Sequence, residues 1–312
     1  MASINMKNKL SSTKDKLKGI IIPLVTIFKK GGKYIDISST RQLLNYVTPY
    51  IDGVFLSGTT GGSVHLNKNE LSKLIKVCIN FRNKRNGFLI LVGTPGNTPW
   101  EVIDKINFIK SEDIDGIVLS TPYFFQHTNE ELLKYFQKII EKVEDSPLIL
   151  YNLPQLTNNN LDILIVKKLA QNKKIIGIKD SSGSLNYCKK LLEKTNLKVL
   201  QGEEALASKS LEFGANGLVP SAANIFPILP RNLFDQRNNK KISKKLQKDL
   251  DYLYSILYAK NEKKANVPGV LTALKIIGIG QGPQCPFTPL SQKAKEKTRD
   301  LITKFKNYIP QS

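Results

Sequence analysis

Leu148-Ile149-Leu150-Tyr151-Asn152-Leu153-Pro154 and Ile175-Ile176-Gly177-Ile178-Lys179-Asp180-Ser181 decide how this chain folds. Each is a short, nearly continuous apolar run, the pattern of a strand buried on both faces of a parallel sheet. Outward from this pair, apolar runs alternate with longer segments of helical periodicity along the chain, the signature of repeated βα units. Eight such runs can be read: Gly19–Phe28, Gly53–Thr60, Phe88–Thr94, Gly116–Pro122, Leu148–Pro154, Ile175–Ser181, Lys198–Glu204 and Asn216–Ser221. Between them, Leu71, Leu74, Ile75 and Cys78 recur at helical spacing in Asn69–Arg85, as do Leu132, Leu133, Phe136 and Ile140 in Asn129–Val143.

Eight strands each followed by a helix close into a barrel, whereas an open doubly wound sheet carries a glycine-rich phosphate fingerprint after its first strand. After Phe28 the chain reads Lys29-Lys30-Gly31-Gly32-Lys33, which is no such fingerprint. The fold class predicted is therefore α/β, a (β/α)8 TIM barrel over residues 19–238. Residues 1–18 read as a polar, mobile lead-in. Residues 239–312 read as a C-terminal helical extension packed on the barrel, with helices at Lys241–Lys260, Val267–Ile277 and around Ser291–Tyr308.

The 312 residues are 41% hydrophobic and 23% charged, a composition that excludes whole-chain disorder and supplies a sizeable core. A formal net charge of +21 raises nucleic acid or an anionic membrane as partners. The lysines are scattered among asparagines and isoleucines, however, as in a compositionally biased genome, so neither partner is expected and the charge is left to steer anionic substrates. Cys78, Cys188 and Cys285 form no metal-binding or CxxC spacing, which fits a reducing compartment. With no signal-peptide stretch and no run of membrane-spanning length, the expected location is cytoplasmic.

In a barrel the reactive groups come from the C-terminal ends of the strands. Lys179 is the sharpest feature there, because an ammonium among Ile175, Ile176 and Ile178 loses several kcal/mol of hydration unless paired or neutral. A neutral amine can attack a ketone, and the iminium it forms is an electron sink for making or breaking the adjacent C–C bond. By itself the segment is equally compatible with a lysine that reaches solvent or pairs with Asp180. Tyr151, at the end of the preceding strand, either caps the sheet or supplies the proton-shuttling hydroxyl that aldol chemistry needs. Gly58-Thr59-Thr60-Gly61-Gly62 offers convergent N–H groups and two hydroxyls for a carboxylate, a weak motif alone. With only His65 and His127 in the chain, a metal site built on several imidazoles is not expected, and no metal or other cofactor is invoked.

Taken together, Gly58-Thr59-Thr60-Gly61, Thr121-Pro122-Tyr123, Tyr151-Asn152-Leu153-Pro154 and Gly177-Ile178-Lys179-Asp180 resemble the dihydrodipicolinate synthase / N-acetylneuraminate lyase family of class I aldolases. The likeness runs from about Gly19 to Leu290. It implies a Schiff base between Lys179 and a small 2-oxo acid such as pyruvate, with Tyr151 and Thr59 relaying protons. It further implies that Thr60 and Gly61 hold the carboxylate, that the carbonyl of Val219 lies near the substrate, and that the protein is a homotetramer, a dimer of dimers.

Departures from the pattern bear on the second substrate. Leu156 stands where synthases acting on aspartate semialdehyde carry arginine, Phe124 where they carry the partner-subunit tyrosine, and Gly62 in place of a glutamate. Lys68 replaces a histidine beside Asn97, Glu101 and Tyr123 of the lysine feedback pattern. These changes favour a lyase that cleaves a 2-keto-3-deoxy sugar acid or a sialic-acid-like substrate to pyruvate and an aldehyde. The alternatives are 4-hydroxy-tetrahydrodipicolinate synthase, a keto-deoxy sugar acid dehydratase and, outside enzymes, a basic nucleic-acid-binding barrel.

Overall fold

A computed structural model describes residues 2–82, 87–144, 146–257 and 266–311. Strands β1 (Gly19–Pro23), β2 (Gly53–Leu56), β3 (Leu89–Gly93), β4 (Gly116–Ser120), β5 (Leu148–Asn152), β6 (Ile175–Asp180), β7 (Lys198–Gln201) and β8 (Gly217–Leu218) form a closed parallel barrel in sequence order. This is the (β/α)8 architecture expected from the alternating runs. The runs overstate the strands at their C-terminal ends, where residues such as Leu153 and Ser181 have left the ladder for the rim.

The helices are α1 (Ala2–Lys16), α2 (Ile37–Val47), α3 (Lys68–Arg82), α4 (Pro99–Ile109), α5 (Asn129–Lys142), α6 (Pro154–Thr157), α7 (Ile163–Leu169), α8 (Leu185–Lys194), α9 (Ala207–Glu212), α10 (Ile228–Asp235), α11 (Lys240–Leu257), α12 (Asn266–Ile276) and α13 (Gln292–Lys304). Their starts follow from local chemistry. Thr128 accepts from the Glu131 N–H while the Glu131 carboxylate accepts from the Thr128 N–H, a capping box that opens α5. Asp36, Thr98 and Ser184 cap α2, α4 and α8 in the simpler way. Helices α11 to α13 pack on one another and on the barrel, as expected of the extension. The expected ends of two helices, Arg85 and Lys260, lie outside the described residues.

Two apolar interiors result. One lies between the strands and the helical ring, and the smaller one fills the barrel with Ile21, Phe55, Leu89, Leu91, Val118, Ile149, Tyr151, Leu200 and Val219. The N-terminal segment is not a loose lead-in: it forms α1, and Leu10 and Leu17 join the barrel interior. The Thr13 hydroxyl donates to the Asp115 carbonyl. Leu10 and Thr13, three residues apart, share one face of α1, and Leu17, just past its end, is buried in the same cluster as Leu10, so the segment docks although as a whole it is polar.

Candidate active site

Strands β5 and β6 pair with Tyr151 directly opposite Lys179, after a register shift at Leu148/Ile149. Because side chains alternate across a strand, the two that face the barrel interior here are Tyr151 and Lys179, while Asp180 points to the layer behind. The Lys179 ammonium donates to the Tyr151 phenol at 3.1 Å, and the Thr59 hydroxyl lies 3.4 Å from the same oxygen. Lys179 is only 6% exposed. Its Nζ lies 4.1 Å from the centroid of the Tyr151 ring and 4.9 Å from that of Phe55, which meets Tyr151 edge to face. Among the described residues Lys179 makes no ion pair, so aromatic faces and the phenol are what surround the amine.

Burial pushes the Tyr151 phenol up, but the neighbouring Lys179 charge and hydrogen bonds with Thr59, Lys179 and Ser181 outweigh it and hold the phenol below its usual range. Asp180 behaves oppositely. It is fully buried, and desolvation lifts its carboxyl above the usual value despite hydrogen bonds from the Ser182 N–H and from the Ser182 and Gln201 side chains. The pairing of Lys179 with Asp180 that the sequence left open does not occur.

The glycine-rich turn sits on the same rim. Thr59 lines a cleft over the barrel mouth, together with Ser57, Gly58, Tyr151, Leu153 and Leu156. Thr60 faces away from that cleft: its hydroxyl is 2.7 Å from the Ser221 hydroxyl and 4% of the residue is exposed. The Gly61 carbonyl accepts from the Thr26 hydroxyl at 2.6 Å, which ties the turn to the segment that follows β1. Any carboxylate held by Thr60 and Gly61 would therefore be held by backbone N–H groups, not by the Thr60 hydroxyl. Val219 is buried with Tyr151 in the barrel interior, and its N–H donates to the Gln201 carbonyl at 2.7 Å.

Three further residues belong to the site. Phe55 walls the amine. Ser181, the first residue past β6, brings its hydroxyl to the neighbourhood of the Lys179 stem, both lying against Gly202. Gly202 is the third: a Cβ there would lie 2.8 Å from Lys179 Cε and 2.2 Å from Ser181 Oγ. His65 lines the cleft beside Phe287, with ring centroids 5.2 Å apart, and His127 lies 3.8 Å from the Glu131 carboxylate. Among the described residues no group of three His, Cys, Asp or Glu side chains could hold a metal, and no helix is long and apolar enough to cross a membrane.

Residues 16–305 match the profile of the dihydrodipicolinate synthetase family. A 4-hydroxy-tetrahydrodipicolinate synthase from Geotalea daltonii is 31% identical over 293 residues, covering 93% of this chain and 99% of the relative. One from Methanothrix thermoacetophila is 28% identical, covering 92% and 96%. Among solved structures, the chloride-inhibited dihydrodipicolinate synthase of Acinetobacter baumannii complexed with pyruvate superposes with a TM-score of 0.86 at 29% identity, over 93% of this chain and 99% of that one. A prophage protein of the dihydrodipicolinic acid synthase family from E. coli, in complex with pyruvate, gives 0.83 at 25% identity, over 93% and 98%.

Proposed function

The chain belongs to the dihydrodipicolinate synthetase family, and from that premise we propose that Lys179 forms an imine with pyruvate and that the derived enamine makes or breaks a C–C bond with an aldehyde. The observation that carries this reading is the buried amine 3.1 Å from the Tyr151 phenol, with Thr59 on the same oxygen. The amine attacks C2 of pyruvate, the carbonyl oxygen leaves as water, and Tyr151 with Thr59 moves the protons this requires. Backbone N–H groups of Thr60 and Gly61 and the carbonyl of Val219 complete the pyruvate subsite in this proposal.

For the second substrate, the curated relatives favour condensation with aspartate semialdehyde, the reaction of a 4-hydroxy-tetrahydrodipicolinate synthase. A second reading, cleavage of a keto-deoxy sugar acid or a sialic-acid-like compound, is favoured by Leu156. This residue lines the cleft at 61% exposure where the resemblance calls for an arginine, so it offers a second carboxylate no bidentate partner. A homotetramer in the cytoplasm is part of the proposal. Phe124, at φ +83° and 81% exposed, leans edge-on against Phe125 in a strained pose that packing against a partner copy would stabilise.

Incubation with pyruvate and borohydride should add a reduced pyruvyl group to Lys179 and leave Lys179→Ala unmodified. An unchanged intact mass for the wild type would end the proposal. Pyruvate consumed with aspartate semialdehyde, as against pyruvate released from sugar acids, separates the two readings.

A further inference from the structure

The cleft over the barrel mouth adjoins the amine, since Phe55, Thr59 and Tyr151 are among the residues that line it. Beyond them its wall is mainly apolar: Val64, Pro95, Leu153, Leu156, Val267 and Phe287 meet there from separate segments of the chain. Val64 and Leu156 are 66% and 61% exposed, so two large apolar side chains face water inside a concavity next to the reacting nitrogen. Apolar surface gathered in this way marks a ligand site, whereas single exposed leucines and valines do not. Among the described residues lining the cleft there is no Lys, Arg, Asp or Glu. His65 is turned edge-on to Phe287, with ring centroids 5.2 Å apart. Two of the hydroxyls are engaged already: Thr59 lies 3.4 Å from the Tyr151 oxygen, and Thr157 donates to the Leu153 carbonyl at 3.0 Å.

We infer that the pyruvate enamine on Lys179 also condenses with uncharged aldehydes whose chain is apolar, and that this chain lies against Leu156, Val64 and Phe287. The inference rests on the imine chemistry proposed above and adds a third class of aldehyde to its two readings. A second carboxylate or a polyol chain would shed water on this wall with few bonds to replace it, whereas an alkyl chain would release water from Val64 and Leu156 as it shed its own. In the reaction, C3 of the enamine bonds to the aldehyde carbon with the C2=C3 π pair. The aldehyde C=O π pair moves to oxygen, which takes the Tyr151 proton, and the nitrogen lone pair restores the iminium. Water then adds at C2, the amine leaves, and a 4-hydroxy-2-oxo acid with an apolar tail is released.

The test is a chain-length series. The full-length protein is incubated with pyruvate and, in separate reactions, acetaldehyde, propanal, butanal and pentanal, and formation of the 4-hydroxy-2-oxo acid is followed. The kcat/KM for the aldehyde should rise about threefold with each methylene buried. Pentanal should also exceed glyceraldehyde, which probes the hydroxyls of Ser63, Ser120 and Tyr123 in the same cleft, by on the order of tenfold. Leu156→Asn, close to leucine in size but polar, should lower the pentanal-to-acetaldehyde ratio by about tenfold, and a general loss of activity would leave that ratio alone. A flat or falling series in the wild type would overturn the inference, as would a preference for glyceraldehyde over pentanal. An unchanged ratio in Leu156→Asn would overturn it too, because the chain would then lie elsewhere. Borohydride trapping of pyruvate needs no aldehyde, so its failure in the wild type would end the imine reading separately from any of these results.

Discussion

Around Lys179, single atoms decide the chemistry. Gly202→Ala would put a methyl carbon 2.2 Å from Ser181 Oγ and 2.8 Å from Lys179 Cε, so we expect imine formation to slow by at least tenfold and the melting temperature to fall as the overpacked rim shifts, as read by trapping kinetics and melting. The phenol gives a second expectation. Removing a donor from its oxygen destabilises the phenolate relative to the phenol and raises its titration. Thr59→Val should therefore move the limb of the pH–rate profile that reports Tyr151 deprotonation to higher pH, and a limb that stays in place would contradict it. Lys179 and Tyr151 were readable in the sequence as unusual residues at strand ends. Ser181 and Gly202 were not, because a serine and a glycine on a rim have ordinary identities and only their distances to the amine single them out.

Strands were the most legible elements, since burial on both faces leaves an apolar run with little else to signify. Helix α1 was the least legible, because Leu10, Thr13 and, just past its end, Leu17 dock it while the segment as a whole is polar. Removing residues 2–16 should lower the melting temperature and uncover Leu17 at the base of the barrel, with pyruvate trapping retained in the fraction that folds. Behind β6, Asp180 makes stability depend on pH. Its folded carboxyl titrates above the unfolded value, so the folded state binds the proton more tightly; stability is greatest below the unfolded value and declines as pH rises through the folded one. Asp180→Asn should flatten that decline in urea titrations carried from the ordinary carboxylate range upward in pH. An unaltered slope would show that the carboxyl is not its source.

At the scale of the molecule, the net charge of +21 is dispersed and partly paired within helices, as at Lys105 with Glu101 and Lys134 with Glu130. Such pairs add little stability but leave a surplus that acts at long range. Raising ionic strength from about 0.01 to 0.15 M should lower kcat/KM for pyruvate with kcat nearly constant, because the change shortens the Debye length from about 30 to 8 Å. The barrel was legible as a whole because every unit repeats one pattern. What the second substrate must look like was not, because the cleft wall draws on distant segments, Val64, Leu156, Val267 and Phe287 among them, that no local pattern brings together.

The register shift at Leu148/Ile149 has the widest reach of these features, for it works as a reading frame. Parity along β6 determines whether residue 179 or residue 180 looks inward, so a single insertion or deletion upstream would present a carboxylate to the barrel and turn the amine into the wall. Substitutions in the cleft leave that frame intact. A chain of this kind can exchange one aldehyde for another through changes at the mouth while the step that activates pyruvate is inherited unaltered.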